Sequence, residues 1–350
     1  MAVKQVSDLH LFADHHLSVR GAGKGFLISL KASNRYAAGY LRELELAVAL
    51  LADYAESQEW PAVGLLTTSH IEEYLYYLQT RPRWFGQQGR ELKPPSQSYI
   101  ETQYRRLKRF FAWLVERGHC ERNPLNLIPH PHIDERVIPT ISERQQLDLL
   151  RMVDPSLART SSERFRFNRD RAVLYLLIDT PGRRNEIATI KMDTVDLDSG
   201  AILVMGKGRR ERWMPLGNVA KEALWDYLQA RSIIANVKEQ ALWLSEQGQE
   251  MQPNWLYLML KRLGERAGIS NLHTHRFRHT YAVNALRSGM PERVLMLAGG
   301  WKRIPETYFR TLGAEDVARV HREISPADRL GRAQTAQNRQ RKQGKARGKL

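Results

Sequence analysis

Five short segments in the second half of the sequence hold side chains able to do chemistry. Arg183 and Glu186 stand three apart after Pro181-Gly182, so at a helix start they share a face and the carboxylate can orient the guanidinium. Lys207 sits in Gly206-Lys-Gly-Arg-Arg-Glu-Arg212, where flanking glycines let backbone and lysine approach a large ligand closely. In Thr274-His-Arg-Phe-Arg-His-Thr280, His275 and Arg278 share a helical face. Gly299-Gly-Trp301 follows, and then Tyr308, the last tyrosine of the chain. Taken singly, these read as a surface ion pair, a basic turn and core aromatics.

A metal is the rival use of the histidines. His275 and His279 are four apart, the geometry of a helical zinc pair, but Arg276 stands where a zinc protease carries its glutamate, and a cation-lined site repels a metal. His119, Cys120, His130 and His132 are interrupted by prolines and irregularly spaced, which makes that stretch a linker.

The elements that must position these residues span 350 residues, more than one hydrophobic core usually serves, so two domains are expected. A net charge of +16 and a pI near 10.0 point to a polyanionic partner, and the longest apolar run is too short to span a bilayer. Nucleic acid is favoured over membrane. The start lacks a secretory profile and Cys120 is the single cysteine, so no internal disulfide forms and the cytoplasm is the expected compartment.

Residues 1–30 read as irregular, and residues 31–125 as a helical domain with helices over 35–56, after a Thr68-Ser69 cap, and over 98–117. In the last of these Ser98 and Glu101 look like a capping box, and Tyr104, Leu107, Phe111 and Leu114 make the buried stripe. Its other side holds Arg105, Arg106, Lys108 and Arg109, either a solvated face or, as favoured here, a DNA backbone contact. Prolines at 124, 129, 131 and 139 mark a linker over 126–140. Residues 141–325 form the second domain, mostly helical around a small antiparallel sheet whose hairpin pairs 201–205 with 212–216. Residues 326–350 read as a disordered tail, its 331–350 part holding seven Lys or Arg and no acid, which either solubilises or orders on phosphates.

The order Arg, Lys, His-x-x-Arg, Trp, Tyr behind a basic helical domain resembles the tyrosine recombinase, or phage integrase, family. The resemblance covers nearly all of 36–324. Asn123-Pro-Leu125 matches the connection between the helical core-binding domain and the catalytic domain, and Thr180-Pro-Gly-Arg183-Arg-Asn-Glu186 the first arginine segment. Gly206-Lys207-Gly208 with Arg212 and Pro215-Leu216 matches the hairpin, His275, Arg278 and His279 the His-x-x-Arg-His box, and Gly300-Trp301 the element before the nucleophile. Tyr308 then falls at the nucleophile. Pro181-Gly182 departs from the usual Gly-Leu, and the step from Trp301 to Tyr308 is about two residues short of the family's usual spacing.

The resemblance implies a mainly α fold and a site-specific recombinase acting on double-stranded DNA. Attack on a phosphodiester makes a five-coordinate phosphorane whose equatorial oxygens gain charge, and Arg183 and Arg278 would clamp them. His275 and the Trp301 indole would add hydrogen bonds, His275 also drawing the Tyr308 proton, and Lys207 would protonate the departing 5′ oxygen. Glu186 and His279 would support these groups. The phosphotyrosyl ester keeps the bond energy, so the implied cofactor set is none, neither ATP nor metal. A homo-oligomer on DNA, a tetramer bridging two duplexes, is implied, with 313–324 as an amphipathic helix that packs either on a neighbour or on its own domain. A type IB topoisomerase and a non-catalytic DNA-binding protein on the same scaffold are the alternatives.

Overall fold

The computed structural model describes residues 17–81, 94–132, 138–206, 211–236, 238–331 and 333–335. The chain divides into two compact units, residues 1–135 and 136–350.

The first unit is helical. Residues 19–30, expected to be irregular, belong to helix α1 (Val19–Ala32), capped by the Ser18 hydroxyl. Three glycines hid it, because glycine lowers helix propensity. At Gly23 a Cβ would come 2.5 Å from Val48, so the missing side chain is what lets α1 lie close on α2 (Ala38–Ser57). Then come α3 (Thr68–Thr80) and α4 (Gln97–Glu116). Ser96 caps α4 in place of the expected Ser98, accepting from the Tyr99 N–H, and the predicted stripe Tyr104, Leu107, Phe111 and Leu114 is buried. Phe26, Leu44, Leu51 and Ile71 complete this core. The first part of the expected linker does not run free. Tyr104 donates to the carbonyls of Leu125 and Ile128, and the His130 ring packs on Tyr104.

The second unit opens with α5 (Glu143–Arg151), closed at its start by the Ser142 and Gln145 capping box. Next come α6 (Ser161–Asp179) and the short α7 (Arg184–Ala188). An antiparallel sheet follows in the order β1 (Val195–Asp196), β2 (Ala201–Met205), β3 (Glu211–Pro215), with Ile202 opposite Met214 and Val204 opposite Arg212. Helices α8 (Asn218–Ile234), α9 (Trp255–Arg266) and α10 (Thr274–Arg287) surround it. The core gathers Leu174, Leu177, Ile202, Met214, Tyr227, Trp243, Leu256 and Phe277.

A smaller cluster, Val283, Leu295, Ile304 and Tyr308, joins α10 to α11 (Glu292–Gly299) and α12 (Glu306–Phe309). Helix α13 (Ala314–Ile324) docks through Asp316, which accepts from Arg287 at 3.1 Å, while Val317, Val320 and Ile324 are exposed. Residues 326–331, expected to be disordered, are helical, and 336–350 lie outside the described residues. No described helix is long and apolar enough to cross a membrane.

Candidate active site

Glu186 is the hub of the site. Its buried carboxylate accepts the Arg183 backbone N–H at 2.8 Å, Arg183 Nη1 at 2.6 Å and Arg212 Nη2 at 2.7 Å. Burial pushes its pKa up, but the Arg183 backbone N–H and the Arg212 and Arg183 charges outweigh this and hold it below the usual carboxylate range.

Three arginines then meet the end of α11. Arg212 donates to the Ala298 carbonyl, Arg278 to Gly299 at 2.7 Å and Arg183 to Gly300 at 3.2 Å. A helix C-terminus leaves its last carbonyls without intrahelical donors and carries the negative end of the dipole, so cations belong there. Gly300 ends the helix in the left-handed region at φ 60°.

Arg278 is buried, donates also to the Pro181 carbonyl, and lies with its guanidinium carbon 4.0 Å from the centroid of the Trp301 ring. Burial and then the neighbouring Arg183 charge bring its pKa down to about 10, which still leaves it cationic at neutral pH. Tyr308, 1% exposed, meets the Trp301 ring at 5.4 Å, the same ring that Arg278 lies over. Burial raises the phenol pKa, and Arg278 and Arg183 work against that rise. His279 backs Tyr308 at 5.2 Å between ring centroids. Its Nε2 lies 2.9 Å from the Ile138 carbonyl and 3.2 Å from Thr311 Oγ1, and its Nδ1 is buried without a partner. The Nε2 hydrogen therefore belongs to the carbonyl bond, and burial keeps the ring pKa below its ordinary value.

His275 stands on the open side of α10, its ring stacked 6.4 Å from His273. Surrounding protein mass, Arg278 and His273 lower its pKa, so the neutral imidazole prevails at neutral pH. The structure thus brings Arg183, Glu186, Arg278, Trp301, Tyr308 and His279 into one constellation, with His275 on the same helix as Arg278. Lys207 lies outside the described residues, between the ends of β2 and β3.

In the first unit, the four basic residues of α4 each have a protein partner. Arg105 pairs with Glu101 at 2.6 Å, Arg106 with Glu43, Lys108 lies over the Tyr104 ring, and Arg109 is cupped by Tyr36 and Tyr40. Among the described residues no group of three or more His, Cys, Asp or Glu side chains is placed to hold a metal. Sequence reasoning placed Arg212 in the hairpin motif without a role and did not single out Thr311. Strand alternation could have shown that Arg212 requires a partner, since it shares the inward face of β3 with buried Met214.

Residues 155–310 match the model of the phage integrase family. The tyrosine recombinase XerC of Pseudomonas savastanoi is 31% identical over 226 residues, covering 64% of this chain and 73% of that protein. The chain belongs to the phage integrase family. This tyrosine recombinase is a DNA strand-transferring enzyme, a site-specific recombinase of the class that works through a phosphotyrosyl intermediate. XerC of Pseudomonas putida is 28% identical over 299 residues, 85% of this recombinase and 91% of its relative. Among solved structures, the XerH recombinase bound to its palindromic difH substrate superposes with a TM-score of 0.63 at 18% identity, covering 89% of this chain and 85% of that one. The Tn1549 transposon integrase in complex with a circular intermediate DNA reaches 0.64 at 16% identity, covering 88% and 99%.

Proposed function

We propose that Tyr308 is the nucleophile and that Arg183 and Arg278 hold the scissile phosphate in front of it. One observation carries the reading: the Trp301 ring holds the Arg278 guanidinium 4.0 Å from its centroid and meets the Tyr308 ring at 5.4 Å, which gathers phenol and cation around one aromatic plate. Guanidiniums titrate far above neutral pH and present forked donors, so they stabilise the extra charge on the equatorial oxygens without losing protons. Tyr308 Oη attacks phosphorus while His275 takes its proton. The P–O5′ bond breaks, the 5′ oxygen receives a proton from Lys207, and the DNA 3′ end stays on the tyrosine. A 5′ hydroxyl from a second strand then attacks the phosphotyrosyl phosphorus, the proton moves in reverse, and Tyr308 is released.

The same reading makes Trp301 a support for Arg278 by its ring face, and His279 a support for the Tyr308 ring. Arg105, Arg106, Lys108 and Arg109 would exchange their protein partners for phosphates, and the exposed Val317, Val320 and Ile324 of α13 would pack on a neighbouring copy in a tetramer that bridges two duplexes. The test is covalent trapping of the full chain on a nicked duplex. A protein–DNA adduct formed by the natural chain and absent from Tyr308→Phe is expected, and an adduct with Tyr308→Phe would overturn the assignment.

A further inference from the structure

Three consecutive carbonyls at the end of α11 are taken by three different arginines, and only two of those arginines have a part in the chemistry proposed above. The third, Arg212, comes from β3 and is nine-tenths buried, an environment in which an arginine stays only if its charge is answered. What answers it is Glu186, the carboxylate that also orients Arg183.

We propose that Arg212 is a positioning residue for DNA cleavage: it shares the Glu186 carboxylate with Arg183 and ties that pair to the C-terminal carbonyls of α11, from which the chain runs on to Trp301 and Tyr308.

The charge arithmetic favours sharing. Glu186 alone against Arg183 would make a neutral one-to-one pair and blunt the field that a phosphate meets. With Arg212 on Oε2 and Arg183 on Oε1, the three groups together carry one positive charge. The carboxylate is also fixed from two sides, and this fixes the direction in which the Arg183 fork points. The second contact of Arg212, to Ala298, sets the end of α11 against β3. The fit is close, for a Cβ on Gly300 would lie 3.2 Å from both Cδ and Nε of Arg212 and 3.6 Å from Nη1 of Arg183. Lysine cannot replace this geometry. Its single ammonium can meet Glu186 but has no fork with which to reach Ala298 at the same time.

The inference rests on the reading of Arg183 as a phosphate clamp. Its test uses the full chain and a nicked duplex carrying a site recovered by selection from random duplexes. Arg212→Gln should slow covalent-complex formation at saturating DNA by about thirtyfold or more, while the DNA concentration for half-saturation moves less than about threefold. Arg212→Lys should recover roughly a third of that loss on a logarithmic scale. The combined Arg212→Gln and Glu186→Gln variant should fall short of the product of the two single losses by about tenfold, because both act through one contact. This coupling is measured between variants, so it stays readable even if each single variant is less stable. Multiplicative losses, a wild-type rate for Arg212→Gln, or equal losses of binding and rate would each overturn the role of Arg212. Wild-type cleavage by Arg183→Ala would instead overturn the reading beneath it, whereas an inactive Arg183→Ala beside an unimpaired Arg212→Gln leaves that reading standing and removes only this one.

Discussion

Arg278 and Trp301 are stacked, the guanidinium carbon 4.0 Å from the centroid of the indole ring, and the same ring meets Tyr308 at 68°. One aromatic plate therefore fixes both the cation that would hold the phosphate and the phenol that would attack it. A cation–π contact at a desolvated site contributes about 2 kcal/mol, enough to hold one rotamer of a side chain that otherwise has many.

That relationship separates two uses of Trp301. If the ring face is the working part, Trp301→Phe keeps a plate for Arg278 and should retain covalent-complex formation to within about fivefold, whereas Trp301→Ala should lose on the order of a hundredfold. If the indole N–H is the working part, the two variants should be equally impaired. Single-turnover trapping gels on the full chain distinguish the outcomes.

Gly300 offers a sharper separation of strain from crowding. Its φ of 60° costs an alanine about 1 kcal/mol, and any Cβ there stands 3.2 Å from Arg212. Asparagine tolerates the left-handed region but still carries a Cβ. Gly300→Ala should thus lower both the melting temperature and the cleavage rate, the latter by about tenfold, while Gly300→Asn should recover the melting temperature and leave the rate low. Recovery of both by Asn would mean that backbone strain alone makes this glycine necessary.

Much of this was legible in the residues. The period-3.6 stripe of α4, the Ser142 cap of α5 and the hairpin of β2 and β3 were all written locally, as turn residues and apolar spacing. Helix α1 was not, because glycine disfavours helix locally and Gly23 is required only by the close approach of Val48, a neighbour some two dozen residues on. The same holds in the site. Arg183 and Glu186 are three apart and could be paired by spacing, but Arg212 reaches Glu186 from a strand 26 residues further on, and Thr311 reaches His279 from 32 residues further on, beyond α11 and α12. No periodicity encodes such contacts. The cations of α4 were visible as a basic face, and Glu101 and Tyr104 lie at helical spacing from Arg105 and Lys108, yet the partners of Arg106 and Arg109, namely Glu43, Tyr36 and Tyr40, come from another stretch of the chain.

Stability should respond to pH through His279. Its folded pKa is held below the ordinary 6.5 by burial, so the unfolded chain binds the proton more readily. Stability attached to this ring is therefore complete above about pH 6.5 and falls as the pH drops from there through the folded pKa. Glu186 and Asp316, both lowered, hold stability that is lost only further down, below the usual carboxylate range. The melting temperature should decline between about pH 7.5 and about pH 5, and His279→Gln should start lower but decline less steeply. An unchanged slope in His279→Gln would move the acid sensitivity to His273 and His275, whose pKa values are lowered too.

Nucleophile and acid can be told apart by changing the leaving atom. In a duplex whose scissile 5′-bridging oxygen is replaced by sulfur, the departing thiolate needs no proton. Lys207→Ala should be impaired on ordinary DNA by on the order of a hundredfold, and should regain most of its cleavage on the sulfur substrate. Tyr308→Phe should form no covalent product on either, since a better leaving group does not replace a missing nucleophile. Arg183→Ala should remain slow on both, because the equatorial oxygens gain charge whichever atom departs. A denaturing gel that follows protein attached to the labelled 3′ strand reads all three. If sulfur rescues Arg183→Ala or a His275 variant and leaves Lys207→Ala slow, the proton to the leaving group comes from a group other than Lys207. If it rescues Lys207→Ala alone, Lys207 is the acid, and Arg212, a few residues further along the chain in β3, shares the Glu186 carboxylate with Arg183.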